Sequence, residues 1–127
     1  MKILVFGRVG QVGSALAEIL LDRYETEFLD QPDVDFTEPS SLREFVLFRR
    51  PAIVINAAAY TAVDRAESEP TLAHAINADA PGVLASACHE IDAIFVHYST
   101  DYVFDGTAKK PYTEDVQVAP HSIYGRS

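Results

Sequence analysis

Three glycines stand at regular spacing near the amino terminus of the chain. Gly7, Gly10 and Gly13 follow a short apolar run and open a segment with helical periodicity. The first glycine suits a tight turn, the second lets backbone approach a pyrophosphate, and the third lets a helix pack close to a strand. Free N–H groups at the start of that helix would attract the anion. The pattern predicts a dinucleotide-binding loop, with a plain strand-to-helix turn as the alternative.

Two charged residues bear on which dinucleotide such a loop would bind. Asp30 ends the second apolar run, where its carboxylate could accept hydrogen bonds from both hydroxyls of an adenosine ribose, which favours NAD. Arg8 lies inside the glycine loop and could pair with a 2′-phosphate, which favours NADP. The sequence leaves this choice open, and Asp30 could equally be a solvated carboxylate at the end of a strand.

The elements that must position these residues alternate regularly along the chain. Apolar runs typical of buried strands lie at residues 3–6, 27–30, 53–59 and 93–98. Helical periodicity follows the glycine turn, resumes after Thr37, and extends over residues 71–90. Strands separated by helices predict an α/β fold with a doubly wound parallel sheet, the Rossmann fold. In such a sheet, ligands bind beyond the carboxyl ends of the strands.

The apolar spacing also predicts which side of each helix packs against the sheet. The predicted inner faces are Val12, Leu16, Ile19 and Leu20 in the first helix, Leu42, Phe45 and Val46 in the second, and Leu72, Ile76, Val83, Leu84, Ala87 and Cys88 in the third. Thr37 would cap the second helix and Pro39 would occupy its first turn. Pro81 is expected to kink the third helix, because an interior proline removes a hydrogen bond.

Composition limits the size of the fold and the kinds of partner. The chain has 127 residues, 48% of them hydrophobic, which suffices for one packed core and is too little for two domains. Nineteen acidic and ten basic residues give a formal charge of −9, which would repel nucleic acid and anionic membranes. With a single cysteine and an opening apolar run too short for a signal or membrane segment, we expect a cytoplasmic protein.

No metal site is predicted. The four histidines have no short ligand spacing, so surface or core positions are expected for His74, His89, His97 and His121. The acidic run over residues 64–69 fits a solvated helix start better than a metal site, because carboxylates suit that end of the helix dipole.

Longer strings follow the third and fourth apolar runs. Residues 56–64 read Asn-Ala-Ala-Ala-Tyr-Thr-Ala-Val-Asp, and residues 97–106 read His-Tyr-Ser-Thr-Asp-Tyr-Val-Phe-Asp-Gly. Residues 111–115 and 119–127 add Pro-Tyr-Thr-Glu-Asp and Ala-Pro-His-Ser-Ile-Tyr-Gly-Arg-Ser. With the glycine loop, these strings closely resemble the dTDP-4-dehydrorhamnose reductases, which are extended short-chain dehydrogenase/reductases. The resemblance runs along essentially the whole chain, and Tyr124 matches the start of the family's Tyr-x-x-x-Lys motif.

The resemblance implies hydride transfer from NADPH or NADH to the C4 keto carbon of dTDP-4-dehydro-6-deoxy-L-mannose, which gives dTDP-L-rhamnose. Tyr124 would protonate the developing alkoxide, and Thr100, next to Ser99, would donate a hydrogen bond to the same oxygen. Asn77 would match an asparagine that bridges helix backbone and active-site water. A homodimer is a further expectation.

The resemblance also implies a set of binding residues. The cofactor-binding set is Gly7, Gly10, Gln11, Val12, Gly13, Asp30, Asp35, Phe36, Ala57, Ala58, Ala59 and Tyr124. The substrate set is Thr61, Val63, Thr100 and Tyr102. Within these sets, Gln11 and Val12 would line the pyrophosphate turn, the alanines would let the cofactor lie close to the third strand, and the Asp35–Phe36 pair would flank the adenine.

By the same resemblance, residues 1–127 would form an incomplete cofactor-binding domain. A lysine would follow Ser127 directly, and a lobe that binds the dTDP group would come later, so this chain alone is not expected to turn over a nucleotide sugar. A regulatory subunit of methionine adenosyltransferase shares the fold and the Ser-Asp-Tyr-Val-Phe-Asp-Gly neighbourhood. A non-catalytic dinucleotide-binding subunit is therefore the alternative function, although Thr100 and the string that starts at Asn56 favour the reductase.

Overall fold

The sheet determines where a functional site can lie. The computed structural model describes all 127 residues and contains four parallel strands in the order β2-β1-β3-β4. The strands are β1 (Lys2–Phe6), β2 (Glu25–Leu29), β3 (Ile53–Asn56) and β4 (Ile94–His97). Phe6 stands opposite both Leu29 and Asn56, and Asn56 stands opposite His97. All four strands therefore end at one edge, and the predicted Rossmann fold is confirmed.

Helices connect the strands and cover the sheet unevenly. They are α1 (Gln11–Leu20), α2 (Pro39–Arg49), α3 (Val63–Ala66), α4 (Pro70–His74), α5 (Ala80–Glu90) and α6 (Ile123–Arg126), with a π-helical segment at Ala75–Asp79 and a 3₁₀ turn at Asp101–Val103. The connection from β1 to β2 runs in one direction across the sheet, and the later connections run in the other. Right-handed crossovers then put α1 on one face and α2 with α5 on the other.

The core lies between the sheet and the layer formed by α2 and α5. It comprises Leu4, Phe6 and Val54 from the strands, Leu42 and Val46 from α2, and Leu84, Ala87 and Cys88 from α5, among others. Phe45, Ile76 and Val83 pack against it at partial exposure. The predicted inner faces of α2 and α5 are confirmed, and each fully buried leucine contributes about 1.5–3 kcal/mol.

The opposite face of the sheet is less covered than the periodicity predicts. In α1, Val12 is exposed and Ile19 is 55% exposed, whereas Leu16 and Leu20 are half-buried. The prediction of a buried strand over residues 93–98 is wrong, since Ile94 is 61% exposed. The physical reason is that β4 is an edge strand and that α1 packs against β2 at the other edge.

The predicted helix over residues 71–90 consists of three parts. The π-helical segment at Ala75–Asp79 joins α4 to α5, and Pro81 lies in the first turn of α5. A proline is tolerated there because the amide hydrogen that it lacks has little use in a first turn. The helical stretch is thus interrupted by the π-helical segment before Pro81 and not by a kink at Pro81. Leu72 is exposed, so its predicted inward position is wrong.

The start of α2 also differs from the prediction. Pro39 occupies the first turn as expected, but Thr37 does not cap the helix, whose N-cap residue is Glu38. Instead, the hydroxyl and the N–H of Thr37 donate to Asp35 Oδ1 at 2.7 and 2.8 Å. These hydrogen bonds, first of all that from the hydroxyl, hold the pKa of Asp35 below its ordinary value.

Candidate functional site

The glycine loop lies between β1 and α1, at the edge where the strands end. Gly7 has a φ of 91°, and its N–H donates to Leu29 O at 2.9 Å. A Cβ at Gly7 would lie 2.6 Å from the backbone of Ala57, and one at Gly13 would lie 2.0 Å from Gly7 O. Gly10 differs, because a Cβ there would meet only Gly7 O at 3.5 Å. Gly10 is also the N-cap of α1 and contributes no side-chain cap, so the first N–H groups of α1 are available to an anion.

Two adjoining hollows form a groove along this edge. One, of about 640 Å³, lies between the glycine loop and the three alanines after β3. The other, of about 320 Å³, lies between the end of β2 and residues 60–62. The residues that line both are Gly7, Asp30, Ala58, Ala59 and Thr61. The lining is largely apolar with a few polar groups, which is the usual character of a cofactor site.

Asp30 lies where the two hollows meet. Its Oδ2 accepts a hydrogen bond from the Val9 N–H at 3.0 Å, and its Oδ1 accepts one from the Gln31 N–H at 3.1 Å. The carboxylate is thus held against the glycine loop and still borders the groove. Arg8 is exposed and does not line either hollow, so its pairing with a 2′-phosphate stays a prediction.

Gln11 and Val12 line the larger hollow beside the glycines, as the resemblance implies. Phe36 lines the smaller hollow, and its buried ring meets that of Phe6 edge-on at a centroid distance of 5.6 Å. Asp35, although adjacent in sequence, borders a separate hollow beside α2. Phe36 therefore borders the groove, whereas Asp35 does not reach it. A contact of Asp35 with adenine stays a prediction.

A third cavity, of about 190 Å³, continues the groove beyond Ala59, which lines all three hollows. Its lining comprises Ala59, Asn77, His97, Tyr98, Ser99, Thr100, Val103, Tyr124, Gly125, Arg126 and Ser127. The predicted catalytic residues Thr100 and Tyr124 thus border the same space, although 23 positions separate them in sequence between the end of β4 and α6. The groove therefore continues from the glycine loop to a cavity that Thr100 and Tyr124 line.

The position of Tyr124 depends on how α6 begins. The Ser122 Oγ caps this helix by accepting a hydrogen bond from the Gly125 N–H at 3.0 Å. The Ile123 N–H, another free donor of the first turn, donates to Glu67 Oε1 at 2.9 Å. Glu67 belongs to the acidic run, so part of that run fixes the helix that carries Tyr124.

The α6 helix also packs closely against the 3₁₀ turn. A Cβ at Gly125 would lie 2.3 Å from Tyr102 O, so only glycine allows this approach. The rings of Tyr102 and Tyr124 meet edge-on at a centroid distance of 5.3 Å. Tyr102 therefore packs on the phenol and does not line the cavity, and Val63 does not line it either. Thr61 lines the hollows on the glycine side, so the substrate contacts of these three residues stay predictions.

Asn77 joins the loop after β3 to α6, the helix that carries Tyr124. Its Oδ1 accepts a hydrogen bond from the Tyr60 N–H at 2.8 Å, and its Nδ2 donates to Tyr60 O at 3.0 Å. The same Nδ2 donates to Ser127 Oγ at 3.0 Å, and Ser127 Oγ donates to Tyr124 O at 2.8 Å. Asn77 thus connects the loop after β3 with the end of α6. The resemblance implies a bridge between helix backbone and active-site water, and the peptide that Asn77 holds is that of Tyr60.

A second polar cluster lies beside this bridge. The Tyr60 hydroxyl donates to Glu69 Oε2 at 2.5 Å, and Arg65 Nη2 donates to Glu69 Oε1 at 2.8 Å. The hydrogen bond from Tyr60, followed by that from Arg65, lowers the pKa of Glu69, and the bond to Glu69 raises the pKa of Tyr60. The prediction that residues 64–69 are a solvated helix start is therefore incomplete, because Glu67 and Glu69 make specific contacts.

Asn56 and His97 make a contact beside the cavity that no pattern in the sequence predicts. Asn56 is 1% exposed, its Oδ1 accepts a hydrogen bond from the Ala58 N–H at 3.1 Å, and its Nδ2 lies 3.2 Å from His97 Nδ1. The two residues are opposite each other in the register of β3 and β4. Only knowledge of this strand pairing could have revealed the contact.

The remaining candidates for a functional site are a metal cluster, a membrane-spanning helix and the thiol of Cys88. No group of three or more His, Cys, Asp or Glu side chains is arranged to hold a metal ion. None of the helices has the length and the apolar character needed to cross a bilayer. Cys88 is buried in the core, and burial raises the pKa of its thiol, which makes it a poor nucleophile.

Fold and groove together define a Rossmann-type domain with a groove along its strand ends. The family model described as the RmlD substrate binding domain matches residues 1–127. The chain belongs to this family, and the resemblance found in the motifs is confirmed.

Known relatives agree with this assignment. The chain is 47% identical, over its whole length, to 43% of a dTDP-4-dehydrorhamnose reductase from Burkholderia thailandensis. A crystal structure of the reductase from Clostridium acetobutylicum matches with a TM-score of 0.95 and 43% identity, over 99% of this chain and 45% of that one. The reductase from Bacillus anthracis in complex with NADP matches with a TM-score of 0.92 and 39% identity, over 98% and 45% of the two chains. The chain thus spans less than half the length of these relatives, and the adenosyltransferase alternative gains no support from them.

Proposed function

We propose that this chain is the cofactor-binding part of a reductase that converts dTDP-4-dehydrorhamnose to dTDP-L-rhamnose with NADPH or NADH. The observation that carries the proposal is the continuity of the three hollows, which meet at Ala59 and end beside Thr100 and Tyr124. Family membership supports it, since the relatives bear this enzyme name and the Bacillus anthracis protein binds NADP.

The residues of the groove fit a dinucleotide. The first N–H groups of α1 would hold the diphosphate, because Gly10 leaves space in front of them. Asp30 would accept from the hydroxyls of the adenosine ribose, and Phe36 would border the adenine from the smaller hollow. The small side chains of Ala58 and Ala59 would leave room for the rest of the cofactor.

The cavity fits the chemistry at the far end of the cofactor. When bound, the nicotinamide supplies a hydride to the keto carbon of the sugar. The Tyr124 hydroxyl would give its proton to the oxygen that becomes the alcohol, and Thr100 would donate a hydrogen bond to that oxygen. Asn77 and Glu67 would position the helix of Tyr124 through their hydrogen bonds to Ser127 Oγ and the Ile123 N–H. A homodimer, a cytoplasmic location and the absence of nucleic-acid or membrane partners belong to the same proposal.

The test uses the full-length gene product that contains residues 1–127. With dTDP-4-dehydrorhamnose and NADPH, we expect the absorbance of the reduced cofactor to fall as dTDP-L-rhamnose forms. Tyr124→Phe should lower kcat by roughly 10²–10⁴-fold, because it removes the proton donor. Tyr98→Phe is the matched control, since Tyr98 lines the same cavity. No turnover by the unmodified protein, or equal kcat values for Tyr124→Phe and Tyr98→Phe, would refute the proposal.

A further inference from the structure

The buried amide of Asn56 can have only one orientation. Its Oδ1 lies 3.1 Å from the backbone nitrogen of Ala58, and its Nδ2 lies 3.2 Å from His97 Nδ1. A backbone N–H is a donor only, so the amide oxygen must face Ala58 and the amide NH₂ must face His97. The opposite orientation would set two donors against each other at a position that is 1% exposed to solvent.

This orientation decides the protonation state of the imidazole. The amide NH₂ is itself a donor only, so His97 Nδ1 must accept with its lone pair, and the single ring proton lies on Nε2. The ring plane is held by Phe95, on which His97 stacks at a centroid distance of 6.0 Å and an interplanar angle of 7°. Position, plane and tautomer of the ring are thus fixed by β3 and β4.

No acidic side chain lines the cavity beside the ring. The other titratable side chains of the lining are Tyr98, Tyr124 and Arg126. No Asp or Glu side chain of the lining therefore competes with Asn56 for a hydrogen bond with the ring. On the strand side, the ring contacts Asn56 and Phe95, which are both uncharged.

We propose that His97 is a further binding residue of this site: a neutral imidazole, fixed by Asn56 with its proton on Nε2, that donates a hydrogen bond to an uncharged oxygen of the bound ligand. That oxygen belongs to the group that fills the cavity beside Thr100 and Tyr124. Two sources offer it, namely the carboxamide of the nicotinamide and a hydroxyl of the sugar. The ligand's identity rests on the proposed function, whereas the tautomer is a property of the chain without ligand.

The tautomer is measured directly by long-range ¹H–¹⁵N correlation spectra of the ¹⁵N-labelled chain. At about pH 8, where an ordinary imidazole is neutral, we expect the cross-peak pattern of the Nε2–H form for His97. In Asn56→Asp, the carboxylate accepts from both Ala58 N–H and the ring, so the proton is expected to move to Nδ1. An Nδ1–H form or an even mixture in the parent chain, or an unchanged pattern in Asn56→Asp, would overturn the proposal.

The donor role is tested by a matched pair of substitutions. His97→Gln places an amide NH₂ near the position of Nε2, whereas His97→Asn places its amide near Nδ1 and leaves the cavity side without a donor. We expect ligand affinity within about threefold of the parent for His97→Gln and about tenfold weaker for His97→Asn.

Two ligand measurements distinguish the two sources of the oxygen. NADPH titration of the chain reports the carboxamide, and KM for dTDP-4-dehydrorhamnose in the full-length gene product at saturating NADPH reports the sugar. Equal values for both variants in both measurements would overturn the donor role. Absence of turnover in the parent would refute the proposed function and would leave the tautomer result standing.

Discussion

The two ends of the groove are built in opposite ways. At the glycine end, three glycines within residues 7–13 shape the site because they lack side chains. At the tyrosine end, residues from the end of β4, the π-helical segment and α6 line one small cavity, and Glu67 of the acidic run holds the start of α6. The first end is local in sequence, whereas the second is assembled from segments far apart.

The difference decides how each end responds to change. At the glycine end, one added methyl group meets backbone, which cannot move aside without shifting β1 or α1. At the tyrosine end, hydrogen bonds such as those of Asn77 and Glu67 contribute about 0.5–1.5 kcal/mol each, so the loss of one weakens the site by a step. We therefore expect a substitution at the glycine end to disrupt the whole site, and a substitution at the tyrosine end to weaken the site in part.

Gly13→Ala tests the glycine end and should have the largest effect. Its Cβ would lie 2.0 Å from Gly7 O, and we expect a loss of roughly 3 kcal/mol or more in the free energy of unfolding, with loss of NADPH binding. Gly82→Ala in α5 is the matched control, since its Cβ meets nothing within 4 Å and should stabilise the chain by about 0.5–1 kcal/mol. Urea unfolding measures both variants. Equal stabilities would contradict the account of the glycine loop.

Gly125→Ala makes the corresponding change at the tyrosine end. Its Cβ would lie 2.3 Å from Tyr102 O, in a short helix at the surface of the fold, and we expect a loss of about 1–3 kcal/mol in the free energy of unfolding. NADPH affinity, measured by titration, should fall far less than in Gly13→Ala, because the glycine loop is untouched. A loss of affinity as large as that in Gly13→Ala would show that the two ends are not independent.

Asp30→Asn probes the middle of the groove. Removing the negative charge beside the ribose should raise the affinity for NADPH relative to NADH by about tenfold, since a carboxylate repels a 2′-phosphate. The amide can still accept from the Val9 N–H, so the fold should remain. The ratio of the two dissociation constants is the measurement. An unchanged ratio would mean that Asp30 does not face the ribose.

The Tyr60–Glu69 pair gives the smallest effect, which appears only as pH dependence. The pKa of Glu69 is lowered below its ordinary value of 4.5, mainly by the hydrogen bond from Tyr60, so its contribution to stability is present above that value and is lost as the pH falls through the lowered pKa. The pKa of Tyr60 is raised above its ordinary value of 10.0, so its contribution is present below that value and is lost as the pH rises through the raised pKa.

Urea unfolding of Glu69→Gln over a series of pH values measures both pH-dependent contributions to stability. The variant should lose less stability than the parent on acidification, because it lacks the carboxylate that must be protonated. Glu44→Gln, at an exposed position of α2, is the control and should follow the parent. If Glu69→Gln and the parent lose the same stability on acidification, the Tyr60–Glu69 pair does not contribute to the pH dependence.

The comparison of the two ends also explains what could be predicted from the sequence. The turn at Gly7 and the inner faces of α2 and α5 follow from spacing over a few residues, and the structure confirms them. The exposure of Ile19 and Ile94 could not be predicted, because helical and strand periodicity show which face is apolar and do not show what covers it. Similarly, no local pattern distinguishes the π-helical segment at Ala75–Asp79 from an ordinary helix.

At the tyrosine end, the motifs identified the residues and the structure supplied their connections. Thr100 and Tyr124 could be named from the strings around them, and they line one cavity. The contact of Glu67 with the Ile123 N–H joins residues 56 positions apart, and that of Asn56 with His97 depends on strand register. Such contacts are properties of the assembled fold and leave no signal in sequence spacing.

The most direct test of the central claim is a map of NADPH binding on the ¹⁵N-labelled chain by backbone amide shifts. We expect saturable shifts along one path, through residues 7–13, Asp30 and residues 57–59 to Thr100, with the amides of α2 and of Gly82 unchanged. Saturable shifts confined to another surface of the sheet, or a path that stops at the glycine loop without reaching Thr100, would contradict it.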